Sequence, residues 1–241
     1  MRRMFGSELL KLKKSPIGLL VPVSPVIAAL IGLLSTVRDS AGAWAETLSY
    51  MAMLHALLFL PLLAGVFSAF VCRYEHAGGG WKQLLALPVS RTSVYVVKFA
   101  LVLGLLAVTQ LLFVAGLLAV GAAKGYAGPI PWDVILNSAL GGWVACMPLA
   151  ALQLAVSVAW TSFAAPLAVN VVFTLPNMLI ANSETYGPYY PWAQPLLAMI
   201  PSSKESFGAF LVPAETLFLV IFGSFALFFA SGLGYFMRKS V

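Results

Sequence analysis

The chain has 241 residues, of which 61% are hydrophobic and 9% carry a charge, and its formal net charge is +6. Soluble domains carry about 25% charged residues, so a soluble fold of this chain would leave much apolar surface in water. The basic residues stand at the ends of apolar runs. No stretch interleaves basic with aromatic residues, as a nucleic-acid-binding surface would. This pattern excludes a nucleic-acid surface and favours an integral membrane protein.

The apolar runs predict an all-α protein with six transmembrane helices in one domain, 1–241. Each run is close to the roughly 20 residues that a helix needs to cross a bilayer, and none alternates with the period of two that is typical of a barrel strand. The first run is expected to be an uncleaved span and not a signal peptide. The six predicted spans cover residues 17–36, 51–72, 99–123, 134–159, 163–180 and 216–237.

The basic residues predict the orientation of the chain. If the N-terminus lies in the cytoplasm, all but three of the 14 Lys and Arg residues fall on the cytoplasmic side. The three on the outside are Arg38, Lys124 and Lys204. Positive residues are enriched in cytoplasmic loops, so both termini are expected to be cytoplasmic.

The segment 2–14 is basic and amphipathic. Phe5, Leu9 and Leu12 share one helical face, while basic residues and Glu8 occupy much of the rest. This spacing predicts a short helix that lies in the cytoplasmic interface. A basic tail that only sets the orientation is the alternative.

The stretch "HAGGGWKQLLALPVSR" lies in the cytoplasmic segment 73–93. Three glycines predict a flexible break, and Trp81, Leu84 and Leu85 then follow at helical spacing until Pro88 stops the helix. Two turns of helix are too short to be stable alone. The helix therefore needs a surface, which is either the bilayer interface or a partner protein.

The spans carry few polar residues and no charge near their centres, which disfavours an ion-coupled carrier. Four amides could line a substrate path or join helices by hydrogen bonds. No catalytic set, metal-ligand set or GxxxxGK[ST] motif is found, so no catalytic or metal residue is assigned. The candidate substrate-path residues are Gln110, Gln153, Asn170 and Asn177.

The external segment 182–213 is rich in proline and aromatic residues. Tyr189, Tyr190 and Trp192 are placed for an interfacial aromatic belt. Two short apolar pieces, 196–200 and 207–212, are bounded by prolines and are too short to span. They predict re-entrant pieces, with a loop on the outer surface as the alternative.

Taken together, these features resemble the permeases of type 2 ATP-binding-cassette exporters. Three stretches, "SELLKLKKSP", "YEHAGGGWKQLLALPVSRTSVYVVK" and "YGPYYPWAQP", are similar to the small bacterial permeases that give immunity to lantibiotics and related peptide antibiotics. That subfamily shows an acidic residue, then W-K, then L-P-V-S-R, then a lysine that opens the third span. In this chain the same places are occupied by Glu75, Trp81, Lys82, residues 87–91 and Lys98.

The resemblance implies that the helix after the second span is a coupling helix, which docks on a separate ATPase subunit that binds ATP and Mg. Trp81, Leu84 and Leu85 would then supply the apolar contact, with Glu75, Lys82 and Arg91 at its charged rim and Pro88 at its end. The chain itself would bind no cofactor and have no enzymatic activity.

The partners implied are that ATPase, a second permease (an identical or a paralogous copy), membrane lipids and a peptide antibiotic, and the location is the bacterial plasma membrane. Two alternatives stay open. One keeps the permease architecture and changes the cargo to a drug, a lipid-linked intermediate or an ion. The other is a membrane anchor or sensor that transports nothing.

Overall fold

The computed structural model describes residues 2–13, 15–37, 42–77, 79–86, 88–200 and 208–239. Within these ranges every regular element is helical, which confirms the predicted all-α class. Two 3₁₀ turns, Gly187–Tyr189 and Gly208–Leu211, accompany ten helices in the described part of the chain. The helices are α1 (Arg2–Lys13), α2 (Ile17–Leu34), α3 (Ala43–His76), α4 (Gly80–Leu85), α5 (Arg91–Lys124), α6 (Trp132–Ala159), α7 (Ala164–Thr174), α8 (Asn177–Ala181), α9 (Gln194–Met199) and α10 (Ala214–Arg238).

Five of the described helices, α2, α3, α5, α6 and α10, are long and apolar enough to cross a membrane. They correspond to the first four predicted spans and to the last one. Helix α6 lies at the centre of the bundle, where it packs against α3, α5, α9 and α10. The protein is therefore a multi-pass membrane protein.

The predicted span over residues 163–180 is not one continuous helix. It consists of α7, with 11 residues, and the shorter α8. At 1.5 Å per residue α7 is about 16 Å long, well short of the roughly 30 Å hydrocarbon core. The break falls at Pro176, which has no N–H to donate and restricts the backbone of the residue before it.

Helix α3 contains a wide turn next to a proline. Residues His55–Phe59 form a π-helical segment, and Pro61 follows it. Because Pro61 has no N–H, the carbonyl of Leu57 loses the donor that an α-helix would supply. The Asn177 side chain replaces that donor, with Nδ2 at 2.7 Å from the Leu57 oxygen and 2.8 Å from the Trp192 oxygen. An amide on the broken segment thus stabilises an irregular turn in a spanning helix.

A second amide fixes α7 against α3. Asn170 Nδ2 donates to the carbonyl oxygen of Pro61 at 2.9 Å, and its Oδ1 accepts from Trp192 Nε1 at 2.8 Å. A Cβ at Gly65 would lie 2.2 Å from Asn170 Nδ2, so only glycine leaves room for this contact. Small residues allow such close approach between membrane helices.

A polar chain joins four helices in the interior. The Ser24 hydroxyl lies 2.6 Å from His55 Nδ1, and His55 Nε2 lies 3.0 Å from Gln110 Oε1. Gln110 Nε2 then donates to the Ala139 carbonyl at 3.1 Å. The chain therefore links α2, α3, α5 and α6 by hydrogen bonds that lipid could not replace.

The external segment is partly helical. The first predicted re-entrant piece, 196–200, overlaps α9 up to Met199, and Ile200 follows the helix. Helix α9 is buried against α6, and the Ser138 hydroxyl donates to the Met199 carbonyl at 2.6 Å. The second predicted piece contains the 3₁₀ turn Gly208–Leu211, while Phe207 lies outside the described residues. Neither piece is long enough to cross a membrane.

We expect Asn177→Ala to destabilise the protein, because it leaves the carbonyls of Leu57 and Trp192 without their side-chain donor. The cost should be about 1–3 kcal/mol, seen as a lower unfolding midpoint in detergent. Asn182→Ala, at an exposed position on the same segment, is the matched control. Equal midpoints for the two variants would contradict the structural role of Asn177.

Candidate functional site

Five elements meet at one end of the bundle. They are α1, the last turn of α3, the short helix α4, the first turns of α5 and the last turn of α10. The segment 73–93 lies here, and the sequence predicts a coupling helix within it. The contacts that its residues make inside the protein determine which of them are free to bind a partner.

Four charged side chains close into a ring at this end. Lys11 Nζ lies 2.5 Å from Glu8 Oε1 and 2.7 Å from Glu75 Oε1. Lys98 Nζ lies 3.1 Å from Glu8 Oε2 and 2.8 Å from Glu75 Oε2. Each lysine thus contacts both glutamates, and the ring, which we call the ion-pair ring, joins α1, α3 and α5.

The ion-pair ring is largely buried. The side chains of Lys98 and Glu75 are 1% and 2% exposed, and only Lys11 reaches solvent appreciably. The Lys98 ammonium also donates to the Val71 carbonyl at 2.7 Å. Partial burial lowers the pKa of Lys11, but the carboxylates of Glu75 and Glu8 raise it by more, so the net shift is upward.

The ion-pair ring holds two cations and two anions, so its net charge is zero. Among the described residues, each charged side chain is compensated only by its neighbours in the ring. Removing one partner of a buried ion pair commonly costs about 3–5 kcal/mol, because an uncompensated charge is left away from water. The ring therefore fixes α1, the end of α3 and the start of α5 relative to one another.

Two glycines let α4 fold back on α3. Gly79 has a φ of +73°, in the left-handed region that favours glycine. A Cβ at Gly80 would lie 2.7 Å from the Tyr74 carbonyl oxygen and 2.9 Å from the Glu75 Cα. These glycines were predicted to form a flexible break, but here they are needed for a tight turn and a close backbone contact. Gly78 lies outside the described residues.

Trp81 on α4 faces into the protein and is only 6% exposed. Its ring centroid lies 5.6 Å from Lys98 Nζ, a cation–π distance, and 5.2 Å from the ring centroid of Phe236 on α10. The indole therefore covers the ion-pair ring and joins α4 to α5 and α10.

His76 connects Trp81 to α6. The indole N–H of Trp81 can only donate, and it lies 3.2 Å from His76 Nδ1. His76 Nε2 lies 2.7 Å from the Ser157 carbonyl oxygen. Only the neutral tautomer with its proton on Nε2 satisfies both contacts, so His76 bridges α4 and the end of α6 as an uncharged ring.

Two cations bind the free carbonyls at helix C-termini. Arg91 Nη1 lies within 3.1 Å of the carbonyl oxygens of Phe236, Met237 and Lys239 at the end of α10. Lys239 Nζ donates to the Val158 carbonyl at 2.6 Å near the end of α6. Positive groups at this position satisfy orphan carbonyls and oppose the negative end of the helix dipole.

These contacts change the interpretation of the predicted coupling residues. Glu75 and Trp81 are buried, and Arg91 is bound to α10, so they support α4 from inside and are not available as direct contacts for a partner. Leu84 and Leu85 are half-buried and pack against the core. Among the described residues of α4 and the segment after it, the exposed ones are Lys82, Gln83, Ala86, Pro88 and Ser90.

The four candidate substrate-path residues are all buried. Gln110, Asn170 and Asn177 make the helix-to-helix hydrogen bonds described above, which favours the packing interpretation for them. Gln153 is fully buried on α6, and its side-chain nitrogen and oxygen have no hydrogen-bond partner in the described part of the chain.

The three aromatic residues predicted for the outer belt differ in position. Tyr189 is exposed, and Tyr190 is half-buried with its hydroxyl bonded to the Phe173 carbonyl. Trp192 is buried and stacks on Phe173 with ring centroids 5.0 Å apart, so it packs inside the protein, and its place in an interfacial belt stays a prediction.

Sequence reasoning missed the ion-pair ring as a unit. Helix α1 was predicted to rest on the membrane through Phe5, Leu9 and Leu12. Phe5 and Leu9 are exposed, but Leu12 and Glu8 are buried. The available signal was charge in unusual places: one acidic residue within a basic segment, and Lys98 at the start of an apolar span. Spacing could reveal only the pair of Glu8 and Lys11, which are three residues apart on one helix. The other three pairs join residues far apart in the chain.

The fold and this site define a helical membrane protein with a short helix fixed beneath its spans, and comparison with known proteins gives the family. The family model described as "ABC-2 family transporter protein" matches residues 4–177, more than two thirds of the chain. The chain therefore belongs to the ABC-2 family of transporter proteins. It is a non-catalytic permease component, and its family implies an ATPase partner. No match is found among curated proteins.

We expect Lys98→Met to lower the free energy of unfolding by about 3–5 kcal/mol, because two buried carboxylates then share only Lys11. Chemical unfolding in detergent measures the change, and Lys82→Met, at an exposed position, is the control. The double variant Glu75→Gln with Lys98→Met should lose clearly less than the sum of the single variants. Simple additivity would show that the ring members are not coupled.

Proposed function

We propose that this permease is the membrane subunit of an ATP-driven exporter, and that α4 and the residues after it form the docking element for the ATPase. The observation that supports this most directly is the ion-pair ring with Trp81 over it. Through Trp81 these contacts fix a six-residue helix to α3, α5 and α10, and the ion-pair ring joins α1 to the same body.

A docking element must pass displacement on to the spans. Helix α4 alone is too short to persist in water, so its inward contacts determine its position. Helix α5 then continues through 34 residues, a length of about 50 Å, from Arg91 to Lys124. A push on α4 is therefore carried to the ends of α3 and α5, which move with it as one body.

The charges at this end support a cytoplasmic location for α4 and for both termini. Arg73, Lys82 and Arg238 are exposed here, and positive residues are enriched on the cytoplasmic side. We further propose that α7 and α8 together complete a sixth crossing, with the break at Pro176 buried against the irregular turn of α3.

For the cargo we propose a lantibiotic or a similar peptide antibiotic, expelled for self-protection or resistance. The support is the resemblance of "YEHAGGGWKQLLALPVSRTSVYVVK" to immunity permeases, whose shared residues include Glu75, Trp81 and Lys98 of this site. Such an exporter pairs the chain with a second permease, identical or paralogous, and with an ATPase that binds ATP and Mg. Export of a drug, a lipid-linked intermediate or an ion is the second candidate.

Charge reversal at Lys82 separates contact with the ATPase from support of α4. In a host strain lacking the chain, the wild type should restore resistance to lantibiotics, while Lys82→Glu should lose most of it and no longer retain the ATPase on purification. Its unfolding midpoint should stay unchanged, because Lys82 is exposed. Leu84→Asp is less informative, since Leu84 also packs against the core.

Arg238→Glu, which makes the same charge change at an exposed position on α10, is the matched control and should keep resistance. Full resistance with the ATPase retained in well-expressed Lys82→Glu would exclude the proposed contact. Equal protection against bacitracin or unrelated drugs would exclude a lantibiotic as the specific cargo. If the wild type retains no ATPase and protects against nothing, a membrane anchor or sensor is favoured.

A further inference from the structure

A small cavity of about 190 Å³ lies between the last turn of α3, the end of α6 and the start of α7. Ligand pockets for drug-sized molecules measure about 300–1,000 Å³, so this cavity suits one small chemical group and not a whole cargo. Its walls include one cation and several hydroxyls, and the described residues that line it include no Asp or Glu. The residues that matter are Arg73, His76, Ser157, Thr161, Ser162 and Phe163.

Arg73 supplies a positive charge that is held in place but not neutralised. Its guanidinium carbon lies 5.8 Å from the ring centroid of Phe70 and 5.5 Å from that of Phe163. Among the described residues no carboxylate forms an ion pair with Arg73, whereas the glutamates nearby are engaged in the ion-pair ring. Phe70 and Phe163 contact each other with centroids 5.1 Å apart, so the guanidinium lies beside this aromatic pair. A planar guanidinium in that position is well suited to bind a phosphate through two parallel hydrogen bonds.

Hydroxyls and a helix N-terminus face the same space. Ser157 is 2% exposed, lines the cavity, and its Oγ has no hydrogen-bond partner in the described part of the chain. Thr161 and Ser162 precede α7, and Ser162 Oγ accepts from the Ala165 amide at 3.4 Å. The positive end of the α7 dipole adds to the attraction for an anion.

His76 forms a wall of the cavity but is not free to bind. Both of its ring nitrogens are engaged, one with Trp81 and one with the Ser157 carbonyl. The cavity is therefore one side chain away from α4, and an anion bound there would lie against the residue that joins α4 to α6.

The surroundings indicate where the anion comes from. The cavity lies at the ends of spanning helices, beside Trp160, which is 45% exposed, and aromatic residues of this kind mark the headgroup level of a membrane. We propose that the cavity binds the phosphate of an anionic phospholipid in the leaflet on the α4 side, with Arg73 as the cation and the hydroxyls of Ser157, Thr161 and Ser162 as donors.

Native mass spectrometry of the purified full chain, mixed with equimolar phosphatidylglycerol and phosphatidylcholine, tests this site. The wild type should retain phosphatidylglycerol in preference, and Arg73→Gln should reduce that retention about tenfold, because a charge-assisted contact is lost. Thr161→Val should also reduce it without changing any charge. Arg238→Gln, which removes an exposed cation at the same end of the bundle, should leave it unchanged.

If Arg73→Gln and Arg238→Gln lose phosphatidylglycerol equally, diffuse surface charge explains its retention and the proposal is overturned. Unchanged retention of phosphatidylglycerol by Arg73→Gln would also overturn it. Binding of inorganic phosphate by the wild type, with no preference for phosphatidylglycerol over phosphatidylcholine, would overturn the lipid as the source of the anion. If Arg73→Gln also changes the unfolding midpoint, Thr161→Val becomes the deciding variant. Unchanged retention of phosphatidylglycerol by Thr161→Val would then overturn the proposed site.

Discussion

Four charges, three of them buried, constrain the rest of this structure from one end of an otherwise apolar bundle. Glu8, Lys11, Glu75 and Lys98 come from three helices, and each lysine contacts both glutamates. An ion taken from water is expensive to bury and is tolerated only when its partners are close and its remaining bonds are satisfied. The positions of α1, of the end of α3 and of the start of α5 are therefore set together.

Helix α4 gains its order from this arrangement. It has six residues, fewer than a helix needs to persist in water, and it is held from inside by the contacts of Trp81 with Lys98, His76 and Phe236. Because Gly80 approaches the α3 backbone closely, the chain cannot loosen at that point without losing the contact. A partner that binds the outer surface of α4 thus acts on a body that already includes the ends of two spans.

The class of fold could be predicted from the sequence. The surface that each side chain faces could not. Long apolar runs are unambiguous, so four consecutive spans and the last one were predicted near their observed places. Amphipathic spacing located α4, but it cannot tell whether Trp81 covers the protein's own interior or a partner, since both surfaces are apolar. The roles of Asn170 and Asn177 depend on Pro61 in another helix, and no local pattern reports such a contact.

Hydrogen exchange on α4 tests the central claim most directly. In the purified permease without its ATPase, we predict that the amides of residues 82–85 exchange far more slowly than in an unstructured peptide of the same sequence, and that Lys98→Met removes most of this protection. Exchange at the unstructured rate in the wild type would contradict the account. So would protection that persists unchanged in Lys98→Met, because α4 would then be ordered without the ion-pair ring.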